Sequence, residues 1–271
     1  FQAEDGIRDC LLSRGLGDVY KRQTPVAHAA VPQALVSPAP RSQTFTLIKF
    51  LLIISLSFNF MCFSQNPIGA WERYYEDENG TNIRSVVIFS EKFQSIAMFN
   101  ANSGEFIYSN GGTWELNENM MTEKVEFDTA NSERVGDIVT FKVEISNNKL
   151  VLPDANWNFT RIDDGTPGDL NGAWLMSGRY RNGQKQIRDT NKPRKTMKIL
   201  SGTRFQWIAY DTEKKEFKGT GGGTYTTTRG KYSETIEFFS RDNSKVGINL
   251  EFSYNLENGE WTHKGLSLIH I

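Results

Sequence analysis

Apolar and polar positions alternate without exception over residues 246–256, where every second residue is apolar and a glycine or polar residue stands between. A period of two indicates a β-strand with one face buried and the other in water. Residues 135–145 repeat the alternation, with exceptions at Asp137 and Ile138. No stretch of ten or more residues in the body of the chain shows a helical period. These strands predict an all-β fold of antiparallel strands, as in barrels and sandwiches.

The chain repeats itself at a constant offset, which carries Gly112 onto Gly223 and Val135 onto Val246 without a gap. The segments that match at this offset are GGTW at 111–114 with GGTY at 222–225 and TEKVEF at 122–127 with SETIEF at 233–238. Upstream, at other offsets, FQ at 93–94 matches FQ at 205–206 and GAW at 69–71 matches GAW at 172–174. A period this long indicates a duplicated domain rather than a solenoid. A copy of about 100 residues is long enough for one hydrophobic core.

The two ends of the chain differ in character from the repeated body. Residues 1–23 and 266–271 resemble translated sequencing-adapter sequence of the kind found at the ends of metagenomic contigs. We therefore expect residues 1–43, an adapter-like and upstream non-native segment, and the tail 266–271 to take no part in the fold.

The segment 44–64 has the pattern of a secretory signal peptide. Lys49 precedes an apolar run that ends near Met61, and Cys62 and Ser64 supply small residues for cleavage after Ser64. This predicts a secreted protein, or one of the periplasm or outer cell envelope, that meets a membrane only through this segment. An uncleaved anchor is an alternative, although a spanning helix needs about 20 apolar residues. Lipidation of Cys62 is another, but the residues before it are not the small ones expected there.

Composition limits the kinds of binding and catalytic sites that the chain can carry. Lys and Arg number 31 and Asp and Glu 32, and this balance argues against nucleic-acid binding, which shows a basic excess. The cysteines, Cys10 and Cys62, both lie outside the two copies, so the body has no disulfide, thiolate nucleophile or cysteine metal site. Its one histidine, His263, has no recognisable catalytic partner, and we expect an ordinary structural histidine. We predict a protein that is not an enzyme and holds no metal or cofactor.

Several motifs carry a family resemblance. They are FKGTGGGTY at 217–225, SETIEFFSRD at 233–242 and WTHKG at 261–265, together with a Gly-x-Trp on the first strand of each copy. In these motifs the chain resembles a family of secreted lipocalin-like proteins of unknown function from Bacteroidetes-type bacteria. The resemblance implies two tandem lipocalin-like antiparallel β-barrels, at 65–162 and 170–265, joined by a linker at 163–169. The glycine-rich segment 219–223 lacks the Lys-Ser/Thr of a phosphate loop, and we expect a bulge or bend there.

The same resemblance implies how each barrel closes. In lipocalins the tryptophan of the first strand packs under an arginine from the last strand. The first copy would then place Arg161 over Trp71 in a cation–π contact. In the second copy the chain becomes adapter-like where its last strand should begin. We therefore expect Trp174 to lack an arginine partner, and the second barrel to be truncated at its last strand and open along one edge.

Parity places a candidate ligand site inside the second barrel. Glu234 is its predicted polar anchor, and the first copy repeats this carboxylate at Glu123. A buried carboxylate must be paired or neutralised, so Glu234 could equally be a rim residue or form a structural ion pair with a lysine or arginine. Aromatic residues could likewise fill a barrel that binds nothing. The predicted walls are Trp207, Tyr225, Phe238 and Phe252.

The expected function is therefore non-catalytic binding of a small, partly apolar molecule within a barrel. The alternative is a cell-envelope or surface interaction module whose barrels are packed solid. An interior cavity above about 300 Å³ favours ligand binding. Filled barrels with an exposed apolar patch favour the protein partner. The sequence defines neither the ligand nor the oligomeric state.

Overall fold

The structure, a computed structural model, describes residues 17–23 and 66–265. A short strand, β1 (Gly17–Arg22), precedes two antiparallel barrels, and three short 3-10 helices lie in the turns. The two tandem barrels confirm the predicted fold. Within the described ranges no helix has the length and hydropathy to cross a membrane. The predicted signal peptide at 44–64 and the tail 266–271 lie outside the described residues.

Barrel 1 consists of nine antiparallel strands. They are β2 (Gly69–Glu76), β3 (Asn82–Phe89), β4 (Phe93–Asn100), β5 (Phe106–Asn117), β6 (Met120–Asp128), β7 (Ile138–Lys142), β8 (Glu144–Ile145), β9 (Lys149–Leu152) and β10 (Trp157–Asp163). The sheet order is β7-β6-β5-β4-β3-β2-β10-β9-β8. Val143 alone separates β7 from β8, and these strands pair with β6 and β9 respectively. One interrupted strand therefore brings the two ends of the sheet together.

Barrel 2 is closed by a strand from the other end of the chain. Its own strands are β11 (Gly172–Arg181), β12 (Gln184–Ile187), β13 (Arg194–Leu200), β14 (Arg204–Asp211), β15 (Glu216–Thr228), β16 (Lys231–Phe239), β17 (Asn249–Glu257) and β18 (Glu260–Gly265). Strand β1 pairs antiparallel with both β18 and β11 and completes the ring. Two expectations are wrong here: the second barrel is not open along an edge, and residues 17–22 take part in the fold.

The tryptophan–arginine closure is present in both barrels. In barrel 1, the Arg161 guanidinium carbon lies 3.9 Å from the centre of the Trp71 ring, as predicted. In barrel 2, Arg22 lies 4.9 Å from the ring centre of Trp174, so the prediction that Trp174 lacks a partner is wrong. Each tryptophan also donates its indole N–H to a backbone carbonyl four residues earlier, at 2.8 Å and 2.7 Å. Strand β1 thus stands where β10 stands in barrel 1.

The strand pairing confirms the repeat and corrects one of its matches. Gln94 pairs with Gly112, and Phe205 pairs with Gly223, so Gln94 and Phe205 are equivalent. The turns before β4 and β14, at 90–92 and 201–203, have the same length, so no insertion interrupts the offset. The match of FQ at 93–94 with FQ at 205–206 is therefore one residue out of register.

A β-bulge in each barrel accounts for another correction. In β16 the register shifts between Ile236 and Phe238, opposite Gly222 and Gly223. A side chain at Gly223 would meet the Thr235 carbonyl oxygen at 2.0 Å, so the predicted bulge requires glycine. Because the bulge reverses parity, Ile236 faces the barrel interior while Phe238 faces outward. Phe238 is therefore not a wall of the barrel 2 interior.

The outward-facing residues join the barrels through an interface with approximate two-fold symmetry. Phe238 stacks on Phe99 of barrel 1 with ring centres 4.9 Å apart, and the equivalent pair, Phe127 and Tyr210, is 5.2 Å apart. Reciprocal contacts between equivalent residues define an isologous interface. Strand β4 is buried along nearly its whole length because one face lines barrel 1 and the other packs on barrel 2.

The long alternating strands begin later than their pattern predicts. Strand β17 begins at Asn249 and β7 at Ile138, each after a 3-10 helix and a turn. The turn contains Gly247 at φ +83° in one copy and Gly136 at φ +100° in the other. This left-handed conformation favours glycine and interrupts a strand, so the repeated Val-Gly marks a turn. The alternation within β17 is confirmed, since Phe252 is buried between exposed neighbours.

Candidate ligand-binding site

Barrel 1 contains a cavity of about 400 Å³ that is open to solvent on one side. All strands of the barrel except β2 and β8 supply its walls, and the exposed residues Asp154 and Ala155 line it where it meets solvent. Its volume lies in the range typical of small-molecule sites, roughly 300–1,000 Å³. The sequence predicted a ligand site in barrel 2, whereas this cavity lies in barrel 1. Its apolar lining includes Val87, Ile96, Met121, Phe141, Leu150 and Phe159.

Glu123 places a carboxyl group on the wall of this cavity. It lies on β6 with the parity of Met121, which also lines the cavity. Burial raises the pKa of Glu123 to about 7, while the charge of Arg134 and a hydrogen bond from Gln94 oppose the rise. No ion pair to Glu123 forms within the described part of the chain. A carboxyl with this pKa is about half ionised near neutral pH and can either donate or accept a hydrogen bond.

A polar cluster extends along the cavity from Glu123. Arg134 Nη1 donates to Asp128 Oδ2 at 2.6 Å, and the Tyr108 hydroxyl donates to the same oxygen at 3.0 Å. Asn110 donates in turn to the Tyr108 hydroxyl oxygen at 2.6 Å. Burial and the Asp128 charge raise the pKa of Tyr108 to about 12, so its hydroxyl stays protonated. The Arg134 charge is therefore largely committed to Asp128.

The interior of barrel 2 holds four of the five residues predicted as its ligand site. Trp207, Tyr225, Glu234 and Phe252 are all at most 3% exposed and face the interior. Phe238 is at the interface between the barrels. Glu234 accepts hydrogen bonds from Lys198 Nζ and from the Tyr232 hydroxyl. Of the three roles considered for Glu234, namely polar anchor, rim residue and structural ion pair, the geometry shows the ion pair, with a lysine that the sequence comparison did not single out.

Large side chains occupy the space that is open in barrel 1. The side chains of Trp207 and Phe239 lie 5.6 Å apart between ring centres. A Cβ atom at Gly221 would fall 2.7 Å from Trp207 Nε1 and 2.6 Å from the Phe239 ring. The glycines of β15 therefore admit these aromatics, whereas barrel 1 carries Asn110 at the position of Gly221.

His263 lies inside barrel 2 and not in the cavity. Its Nε2 atom is 3.3 Å from Asp18 Oδ2, and its ring stacks on Phe252 with centres 4.8 Å apart. Burial lowers the pKa of His263, with Asp18 acting in the opposite direction, so the imidazole is mainly neutral at neutral pH. Its surroundings are those of a packed core residue.

The barrel 1 cavity could have been found from the repeat. Reading the two copies at the offset that carries Gly112 onto Gly223 puts Ile96 at the position of Trp207, Met121 at Tyr232 and Leu150 at Trp261. Each substitution replaces an aromatic ring by a smaller side chain. This signal is missed when aromatic residues are taken as the walls of a site, because in this scaffold they mark the filled barrel.

Comparison with known proteins does not assign the chain to a family. No protein-family model, curated protein or solved structure matches the chain.

Proposed function

We propose that this protein is a non-catalytic binding protein that holds a small, partly apolar molecule in the cavity of barrel 1. The observation that carries the proposal is the cavity of about 400 Å³, with mainly apolar walls and a carboxyl group, Glu123, that forms no ion pair among the described residues. Apolar pockets with a few placed polar groups are typical of ligand sites. A signal-peptide-like segment at 44–64 supports a role outside the cytoplasm.

The filled barrel 2 supports a scaffolding role for the second copy. Its aromatic rings occupy the interior, and its ion pair leaves Glu234 already satisfied, so the second copy need not share the function of the first. A surface module with two solid barrels is the rival function. It would require that barrel 1 also bind nothing.

The experiment that tests the proposal fills the cavity with residues that barrel 2 already uses. Ile96→Trp and Leu150→Trp each place an indole in the cavity, and Ile107→Trp adds the same group at a position that is 49% exposed. Binding is measured with a polarity-sensitive fluorescent probe and by native mass spectrometry of the full chain.

We expect the probe to bind the parent protein and Ile107→Trp alike, and both cavity variants to lose at least tenfold in affinity. Circular dichroism and thermal unfolding establish that each variant is folded. Equal binding by a folded Ile96→Trp or Leu150→Trp variant would contradict the proposal, as would a parent protein that binds neither the probe nor any small molecule.

A further inference from the structure

Barrel 2 carries, on one of its own side chains, an ammonium group at a position where barrel 1 has none. In the repeat, Glu123 is equivalent to Glu234 and Val87 is equivalent to Lys198. The carboxyls lie on the equivalent strands β6 and β16. Val87 on β3 and Lys198 on β13 are both buried. The two interiors thus share the carboxyl and differ in the ammonium group.

In barrel 2 the ammonium group of Lys198 is fully enclosed. The side chains of Lys198 and Glu234 are each 1% exposed, and they form an ion pair. Lys198 Nζ also lies 5.0 Å from the ring centre of Tyr232 and 5.5 Å from that of Trp261, within the range of cation–π attraction. The lysine is, in effect, a four-carbon alkyl amine held by a carboxylate among aromatic rings.

In barrel 1 the same carboxyl has no such partner. Val87 carries no charge, and within the described ranges no lysine or arginine pairs with Glu123. Arg134, a cation on the cavity wall, is engaged by Asp128 at 2.6 Å. Lys142, also on the wall, pairs with Glu144 at 2.8 Å. The space in front of Glu123 is the cavity.

We propose that barrel 1 binds a primary amine with an apolar body, whose ammonium group pairs with Glu123 as Lys198 pairs with Glu234. The proposal rests on the proposed function and specifies the class of its ligand. An anionic amphiphile fits less well because the cavity wall carries the carboxyl groups of Glu123 and Asp154, and the cations of the described wall, Arg134 and Lys142, already have partners. A neutral alcohol would gain a hydrogen bond to Glu123 but no ion pair.

A matched series of ligands separates these cases. The full chain is titrated with n-octylamine, n-octanol and n-octanoate by isothermal titration calorimetry at pH 8, with displacement of the fluorescent probe as a second measurement. We expect octylamine to bind most tightly, by tenfold or more over octanol, and octanoate least tightly. Equal binding of all three would overturn the amine assignment and leave the proposed function intact. No binding of any of them or of the probe would overturn both.

Substitution of the carboxyl then tests its role directly. Glu123→Gln should weaken octylamine binding about 10- to 100-fold, the amount expected for a charge-assisted hydrogen bond in a partly buried site, and should leave octanol binding nearly unchanged. Glu115→Gln, an exposed residue on β5, makes the same charge change away from the cavity and should have no effect. An octylamine affinity that is equal in Glu123→Gln and the parent would overturn the proposal.

The pH dependence supplies a readout that a packing effect would not reproduce. Octylamine stays cationic between pH 6 and 8, whereas Glu123 ionises near pH 7. Octylamine affinity should therefore rise about tenfold from pH 6 to pH 8 in the parent. It should stay flat in Glu123→Gln. A flat profile in the parent would count against Glu123 as the group that receives the ammonium.

A final variant copies barrel 2 into barrel 1. Val87→Lys places an ammonium group where Lys198 stands, and it should pair with Glu123 and exclude octylamine. In the double variant Val87→Lys/Glu123→Gln the lysine loses its partner, and the protein should unfold at a lower temperature than Val87→Lys alone. Undiminished octylamine binding by a folded Val87→Lys protein would contradict the proposed position of the ligand.

Discussion

Barrels 1 and 2 are built from equivalent strands and differ in what they enclose. Both have the tryptophan–arginine closure and the glycine bulge, and equivalent residues of the two barrels make reciprocal contacts at the interface. Barrel 1 nevertheless contains a cavity of about 400 Å³, while the corresponding positions of barrel 2 carry buried aromatic rings and an ion pair. The comparison shows that the scaffold and its contents are encoded by separate sets of residues.

The residues that set the scaffold are those on which the backbone itself depends. Glycine at 112 and 223 is required because a side chain there would meet a carbonyl oxygen at 1.8 Å and 2.0 Å respectively. The residues that set the contents are interior side chains such as Ile96 against Trp207 and Val87 against Lys198. These can change without altering a hydrogen bond of the sheet, so a duplicated copy is free to diverge inside.

The largest effect on stability is expected from breaking the buried ion pair between Lys198 and Glu234 inside barrel 2. Lys198→Met leaves Glu234 buried with only the Tyr232 hydroxyl, and loss of one partner of a buried pair costs about 3–5 kcal/mol. The free energy of unfolding, measured in urea, should fall by that amount at pH 7. Lys231→Met, at an exposed site on β16, is the control.

The double variant Lys198→Met/Glu234→Met should recover most of the lost stability, because an apolar pair of similar size removes the unpaired charge. If Lys198→Met alone proved as stable as the control, Lys198 would not be the partner on which Glu234 depends, and the contrast between the two barrels would lose its main basis.

The sequence predicted the scaffold better than its contents. The alternation within β17, the repeat and the Gly-x-Trp motif led to two antiparallel barrels because backbone pairing leaves a period that can be read along one strand. The partner of Trp174 was missed because Arg22 reaches it from the strand that precedes barrel 1, and no local pattern records so distant a pairing.

The site was harder to predict for a physical reason. Parity alone said that Phe238 and Glu234 face the same way, but the bulge between Ile236 and Phe238 reverses the alternation between them. The pairing of Glu234 with Lys198 and the open space beside Glu123 depend on neighbours in other strands. In the sequence, these neighbours can be inferred only by comparing equivalent positions of the two copies.

The next effect is the pH dependence of stability in barrel 1. The pKa of Glu123 is raised from 4.5 to about 7 by burial, so the folded state favours the protonated form. The folded protein then binds more protons than the unfolded chain between those pH values, and stability is lost as pH rises from about 4.5 to 7. Glu123→Gln removes this loss, and it should be more stable than the parent by about 1–3 kcal/mol at pH 8.

The free energies of unfolding of Glu123→Gln and the parent should differ least near pH 4.5, where Glu123 is protonated in the folded state. Urea unfolding at pH 4.5, 6, 7 and 8 measures the difference, and Glu115→Gln should run parallel to the parent throughout. A difference between Glu123→Gln and the parent that does not vary with pH would show that Glu123 is not desolvated, and the cavity would then be more like solvent than the structure indicates.

The two closures should differ in strength. Arg161 donates to three backbone carbonyls, at 2.6, 2.9 and 2.9 Å, and lies close over Trp71, whereas Arg22 donates to the Asn171 carbonyl at 2.7 Å and lies farther from its tryptophan. We expect Arg161→Ala to cost about 2 kcal/mol and Arg22→Ala about 1 kcal/mol in unfolding free energy. Lys21→Ala, next to Arg22, is the control.

Hydrogen exchange of the amides in β1 and β10 gives a second measure of the same contrast. Arg22→Ala should speed exchange in β1 and leave β10 protected, and Arg161→Ala should do the reverse. An Arg22→Ala variant that exchanged no faster in β1 than the parent would mean that the backbone pairs with β11 and β18 hold the strand without the arginine.

The smallest expected effect lies at the interface, where the two halves can be compared within one molecule. Arg84 Nη1 is 2.9 Å from Glu237, and the equivalent Lys195 Nζ is 2.9 Å from Glu126. All four side chains keep some exposure, so a double-mutant cycle should give about 1 kcal/mol or less for each pair, decreasing with added salt.

The two coupling energies should nevertheless be unequal. Glu237 has a second cation, Arg204, at 2.5 Å, and Arg84 is shared with Glu72, whereas Glu126 also accepts from the Tyr210 hydroxyl at 2.6 Å. A carboxylate with one cation depends on it more, so the Lys195–Glu126 coupling should exceed the Arg84–Glu237 coupling. A larger coupling energy for Arg84–Glu237 would show that the better hydrogen-bonding geometry of arginine outweighs the competition from Arg204 and Glu72. Residues at equivalent positions of this interface would then contribute unequally for a reason other than the number of their partners.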